Sequence, residues 1–147
     1  MAKSYVLGDD YKLYYSTSGD YASPVWVEVS AADSISVDWS PADITIPERG
    51  ISTGHLQGKG DPTISFTMME DTGDTSVEAI IAATLTDATK IHLAVCRGFI
   101  DGAGNKYYHM ECAVFGSLTA DQGGVASYDI EARRHANSEQ GFLRATV

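Results

Sequence analysis

The apolar positions of this chain follow two periods, and the change from one to the other falls in a single stretch, Asp61 to Thr86. In its first half Ile64, Phe66 and Met68 alternate with Thr63, Ser65 and Thr67, the two-residue period of a strand with one buried face. Glu70 to Asp74 breaks the alternation with an acidic turn that contains Gly73. Thr75-Ser-Val-Glu78 then has the form of a capping box, in which the Thr75 hydroxyl and the Glu78 carboxylate each satisfy an amide of the first helical turn. Val77, Ile80, Ile81 and Leu85 follow on one helical stripe, with Ala79, Ala82 and Ala83 filling between them. The pattern predicts a strand, a tight turn and an amphipathic helix of about three turns. It is the one convincing helix of the chain, and it must lie on a sheet to cover its apolar side.

The remaining segments read as strands and turns. Tyr11 to Ser16 is aromatic-rich and strand-like, Thr17 to Pro24 is a turn by composition, and Val25 to Val29 returns, which predicts a hairpin. Ser34 to Trp39 alternates, with Ile35, Val37 and Trp39 on one side and Ser34, Ser36 and Asp38 on the other. Ser40 to Gly60 has two prolines, four glycines and no surviving period, so it is expected to be a long loop. Such a loop inside a compact domain is either a surface excursion or a contact with a partner. Lys90 to Ile100 and Tyr107 to Thr119 form a hairpin around Asp101–Lys106. Centring that turn sets Arg97 opposite Glu111, Cys96 opposite Cys112 and Leu93 opposite Phe115, a register favoured by the opposite charges. Both faces of this hairpin are mostly apolar, so both are expected to be covered. Val125 to Arg134 is the last strand, with Ala126, Tyr128, Ile130 and Ala132 inward and Ser127, Asp129, Glu131 and Arg133 outward. His135 to Val147 has no strong pattern. The expected fold is mainly β: a sandwich or partly closed barrel of about seven strands with one helix packed on it.

Length and charge narrow the function. At 147 residues one domain, 1–147, is expected. No apolar run approaches the roughly 18 residues of a membrane span, and no stretch of signal-peptide length follows the first residues, so a cytoplasmic site of synthesis is expected. The formal net charge of −10 argues against gripping nucleic-acid phosphates, which takes Lys and Arg.

Candidate chemistry is thin. Gly54 to Gly60 resembles a phosphate loop faintly, but it is one residue short between glycines, Gly60 replaces the hydroxyl residue, and a strand follows. His109 and Glu111 have a spacing that metal sites use, without a third ligand in view, and Arg97 accounts for Glu111 more simply. No serine sits in a nucleophile elbow. Cys96 and Cys112 are expected to be reduced core residues. Trp26, Trp39 and the eight tyrosines suit sheet packing and subunit contact better than a carbohydrate platform. No catalytic residue, cofactor site or metal site is therefore expected, and the protein reads as a non-enzyme.

Two stretches carry a family resemblance. Lys12 to Ser40, KLYYSTSGDYASPVWVEVSAADSISVDWS, resembles the opening of phage tail tube proteins, the major tail proteins: an aromatic strand, a Gly-containing turn ending near Pro24, a Trp26-Val-Glu28 strand and a polar strand. Ser65 to Ala83 resembles their strand, Asp-Thr-Gly-Asp turn and single helix. Together they span most of Tyr11 to Ala83, and the C-terminal half agrees in layout rather than motif. The resemblance implies a structural virion protein that forms six-membered rings whose inner sheets join into one barrel. The rings stack into a tube that conducts DNA from capsid to host. It implies a tape measure protein and transiting DNA in the lumen without tight binding, tail terminator and tail tip proteins at the ends, no membrane partner, and assembly in the host cytoplasm. The loop at 40–60 would reach neighbouring subunits through Ile44, Ile46, Pro47, Arg49, Ile51, His55 and Leu56. The polar strand faces, Ser34, Ser36 and Asp38, Thr63, Ser65 and Thr67, Ser127, Asp129 and Glu131, would line the lumen. The resemblance extends as well to tube proteins of contractile injection systems, and the residues leave open a stand-alone carbohydrate- or protein-binding β-sandwich and a hydrolase whose site the sequence does not show.

Overall fold

The computed structural model describes residues 8–16, 24–39, 43–46, 54–57, 60–70, 73–85, 90–120, 122–136 and 143–146. After a 3-10 turn at Gly8–Asp10 come β1 (Tyr11–Ser16), β2 (Val27–Glu28), β3 (Ala32–Asp38), β4 (Asp43–Ile46), β5 (Gly54–Gln57) and β6 (Thr63–Met69). The helix α1 (Thr75–Leu85) precedes β7 (Ile91–Arg97), β8 (Lys106–Thr119), β9 (Ser127–Arg134) and β10 (Leu143–Thr146). Among the described residues one antiparallel sheet runs in the order β2-β1-β7-β8-β9-β6-β3, with β10 also paired to β8. It curls around its apolar face, so that β3 comes over Tyr11, Val95 and Tyr108 across a cleft of about 570 Å³. The result is mainly β with a helix packed on it, compatible with the expected sandwich or partly closed barrel, with eight strands in this sheet where about seven were expected.

Alternation explains the distal strands. Ile64, Phe66 and Met68 of β6 and Ile130 and Ala132 of β9 are buried in one core with Met110, Cys112 and Val114 of β8. The β1–β2 hairpin forms as expected, with Tyr14 opposite Glu28. β3 contains a bulge between Asp33 and Ser36, and Ser34 there has a φ of 51°. That left-handed conformation is rare for a residue other than glycine, and the Asp33 carboxylate accepts the Ser34 amide at 2.8 Å to hold it.

Four expectations need correction. The helix is capped by Asp74, not by Thr75: Asp74 Oδ1 accepts from the Ser76 amide at 2.9 Å and from Ser76 Oγ at 2.6 Å. A carboxylate one residue earlier outcompetes the threonine, and these bonds hold its pKa below the ordinary value. The buried side of α1 is Ser76, Val77, Ile80 and Ala83, whereas Ile81 is only half-buried and Leu85 is 80% exposed. The helix approaches β8 at Gly116, where a Cβ would meet Ile130 Cδ1 at 2.9 Å and Thr84 Cγ2 at 3.4 Å. A small residue there lets the last turn sit close, and its outer side turns Leu85 to solvent.

The β7–β8 register also differs. Glu111 stands opposite His92, Cys112 opposite Ile91 and Cys96 opposite Tyr107. The connection spans residues 98–105, earlier than composition suggested. Gly98 enters it with a φ of 88°, and Asn105 Nδ2 donates to the Phe99 carbonyl at 2.9 Å. The shift is odd, so the two cysteines fall on opposite faces, both buried and both free thiols. Glu111 has Lys90 as its partner at 3.0 Å rather than Arg97. The segment 40–60 is not wholly a loop, because β4 and β5 pair as a two-stranded ribbon with Ile44 opposite Leu56. The C-terminal tail contributes β10, with Leu143 opposite His109.

Candidate functional site: the polar sheet face

β8 is long enough to take different neighbours along its two halves. Its first half, to Cys112, pairs with β7; its second half, from Cys112 to Thr119, pairs with β9 on the other edge. From Ala113 onward no strand among the described residues occupies the β7 side. β9 pairs with β6 and β6 with β3, and among the described residues no strand lies beyond β3. Among the described residues the distal part of the sheet is thus four strands, β8-β9-β6-β3, open at both edges.

Residues directly opposite one another on a ladder share a face. The pairings therefore set Asp38, Thr63, Arg133 and Ala113 in one row, and Ser36, Ser65, Glu131 and Phe115 in the next. A third row holds Asp33, Thr67, Asp129 and Ser117, and Met69, Ser127 and Thr119 follow. Three strand faces predicted separately thus form one contiguous outward surface, opposite the core. Ser34, within the bulge, borders the shallow groove that crosses this surface to Phe115 and Ser117.

The charges on the surface are partly matched. Arg133 is 3.0 Å from Glu131 Oε1 and 3.2 Å from Asp61 Oδ2. Asp33 is engaged by the Ser34 amide, and Thr67 Oγ1 donates to the Asp33 carbonyl at 3.2 Å. Asp129 is exposed beside Ser117 and Thr67. The face is hydroxyl-rich and net acidic, which suits a wettable wall and gives a phosphate little to hold. The sequence reading missed Phe115, Ser117 and Thr119, because β8 as a whole looked apolar on both sides. It also missed that Arg133 shields Glu131, although opposite charges two residues apart on a strand share a face.

Of the expected contact residues, Ile46, His55 and Leu56 are exposed on the β4–β5 ribbon, with His55 Nδ1 3.0 Å from Asp43. Pro47, Arg49, Ile51 and the Ile44 side chain lie outside the described residues. The other suggested chemistry takes different forms. Gly54 to Gln57 is a strand rather than a phosphate loop. His109 faces His92, with Nδ1 and Nε2 2.9 Å apart. Among the described residues no helix is long and apolar enough to cross a membrane.

No protein-family model matches the sequence, and no match was found among the curated proteins. Solved structures match over nearly the whole chain. A chain of the SPP1 tail tube, determined by solid-state NMR and cryo-EM, superposes with a TM-score of 0.72 at 14% identity, covering 97% of this chain and 80% of that one. A chain of the sheath–tube complex of PVC, an extracellular contractile injection system, gives 0.62 at 13% identity, covering 97% and 92%. A chain of the PVC sheath/tube terminator gives 0.65 at 11% identity, covering 99% and 100%. The curled sheet with α1 packed on it is therefore a fold that this chain shares with these phage-tail and injection-system chains.

Proposed function

We propose that this protein is a tail tube subunit, a structural protein that assembles into six-membered rings, stacked into a tube through which phage DNA passes. The observation that carries this reading is the polar four-stranded sheet with two open edges. β8 and β3 are its outer strands, and because the count is even and every pairing antiparallel, they run in opposite directions. When copies are arranged around an axis, β3 of one copy meets β8 of the next antiparallel, so the ladder continues from copy to copy. Ala32–Asp38 and residues 113–119 are of matching length. Closure satisfies edge amides and carbonyls that would otherwise template aggregation. It also turns the hydroxyl-rich acidic face into the lumen, lined by Ser34, Ser36, Asp38, Thr63, Ser65, Thr67, Ser127, Asp129 and Glu131. The likeness in fold to the SPP1 tail tube supports the same reading.

In this reading the protein belongs to the virion tail and assembles in the host cytoplasm. A tape measure protein and DNA occupy the lumen without tight binding, and terminator and tip proteins close the ends. The β4–β5 ribbon contacts the neighbouring subunit. A second reading, the tube of a contractile injection system, is favoured by the likeness to the PVC chains; it uses the same ring and differs in its cargo and in having a sheath. Electron microscopy of concentrated purified protein tests the shared core of both readings. Rings or filaments are expected, and a protein that stays monomeric at every concentration would be a binding module instead. Replacing residues 42–56 by a Gly-Ser linker should leave a folded monomer, and normal tubes from that variant would remove the ribbon from the interface.

A further inference from the structure

The outward face of β7 and of the first half of β8 carries a cluster that ring closure does not use. His92 on β7 and His109 on β8 are both buried, with Nε2 and Nδ1 2.9 Å apart. Glu111, also buried, lies across the ladder from His92 and pairs with Lys90 at 3.0 Å. His135 follows β9 on the other side of β8, and its amide donates to the Glu111 carbonyl at 2.9 Å. From β1, Ser16 stands opposite His92 and Tyr14 opposite Ala94. Glu28 of β2, opposite Tyr14, is 3.5 Å from Lys12, and the Tyr107 ring is 5.0 Å from His109. Trp26 lies over the cluster, its indole edge-on to His92 at 4.6 Å. The Val25 amide fastens that segment by donating to Ser16 Oγ at 3.1 Å.

We propose that the His92–His109 pair is an acid-operated latch that holds the Pro24–Trp26 segment and edge strand β2 on the sheet at neutral pH and releases them on acidification. A neutral pair shares one proton, so that one ring nitrogen donates and the other accepts. A second proton on each ring makes both nitrogens donors, which removes the hydrogen bond and brings like charges into contact. Glu111 offsets one positive charge at most, and Lys90 already shares it. Burial, followed by the neighbouring His109, lowers the His92 pKa from 6.5 to about 4, and burial also lowers that of His109. The folded state thus favours neutral rings. The stability they lend is complete above pH 6.5 and is lost as the pH falls towards 4.

The chain has two tryptophans, so in a Trp39→Phe protein the indole of Trp26 reports alone. Fluorescence and amide exchange are followed from about pH 7.5 to about pH 3, a window that extends past the ordinary histidine range to include the lowered His92 value. Trp26 emission should shift to the red in one step, and the Val25 and Val29 amides, bonded to Ser16 Oγ and to the Leu13 carbonyl, should come to exchange at least about tenfold faster relative to β6 amides. His92→Gln with His109→Gln should abolish the step. A parent protein with no step, or a step unchanged in the double variant, overturns the proposal. Should the double variant not fold, the ring resonances of His92 and His109 in the parent decide. They should titrate together with the Trp26 step, and titration at any other pH overturns it.

Discussion

The two halves of β8 are one strand with one backbone geometry, yet they face different surroundings. In the first half the core face packs Met110 and Cys112, and the outward face buries His109 and Glu111 beside Ala94 and Cys96 of β7. In the second half the core face packs Val114, while Phe115, at 56% exposure, and Ser117 look out from a polar surface. One half behaves as the middle layer of a packed body and the other as a wall. A lysine introduced on the outward side should therefore cost very different amounts beside the first half, at Ala94 of β7 opposite His109, and on the second half, at Ser117. Ala94→Lys puts a charge where no solvent reaches and should destabilise by about 3–5 kcal/mol, or prevent folding. Ser117→Lys should change stability by no more than about 0.5 kcal/mol. Denaturant titration of the two variants checks this, and equal costs would dissolve the distinction.

The helix sharpens the comparison at the junction of the halves. Ile80 is fully buried and Leu85 is not, so Ile80→Ala should cost about 2–5 kcal/mol while Leu85→Ala stays near zero. Denaturation midpoints should separate the two clearly. Comparable losses would mean that α1 presents its last turn to the sheet after all.

What could be read in the sequence follows the same division. The β3, β6 and β9 strands keep one face wet, so Ile64, Phe66, Met68, Ile130 and Ala132 announce their side by alternation. β7 is buried on both faces through Cys96 and has no alternation to set its register. The charge match of Arg97 with Glu111 was then a weak guide, while the controlling features were the backbone of Gly98 and the side chain of Asn105. The polar residues of the candidate lumen were legible for the same reason as the core, since alternation marks both sides at once. Their union into one surface was not, because it depends on long-range pairing between β3, β6 and β9. β4 and β5 escaped because four-residue strands flanked by Gly and Pro carry too few positions to show a period.

A smaller effect belongs to the cap. Asp74→Ala should cost about 1 kcal/mol and Thr75→Ala well under that, reversing the order that a capping box at Thr75 would give. Asp74 ionises more readily in the folded protein than its ordinary value of 3.8, chiefly through the Ser76 hydroxyl. Its contribution is present above that value and is lost as the pH falls through the lowered one. The two proteins should accordingly converge in stability in strong acid, and a constant difference would place the effect elsewhere.

The smallest expected change in stability tests the largest functional claim. Asp129 sits on the outward face of β9, away from the core, so Asp129→Lys should leave folding within about 0.5 kcal/mol and should still allow tubes. Its effect is expected on passage of DNA. Salt screens charge over about 10 Å at 0.1 M, so a wall carboxylate repels phosphates that come within that range. A lysine instead invites contact and counterion release, and in the proposed six-membered ring it would be repeated in every copy. Glu131 makes a poorer test, because Arg133 lies 3.0 Å away and already cancels much of its field. Genome ejection from particles carrying Asp129→Lys should be slower than from the parent, with the gap widest at low salt and closing as salt rises. Glu131→Gln should have a weaker effect. Equal ejection rates for the Asp129→Lys particles and the parent at every salt concentration would remove this face from the channel, or show that charge on the wall does not govern passage.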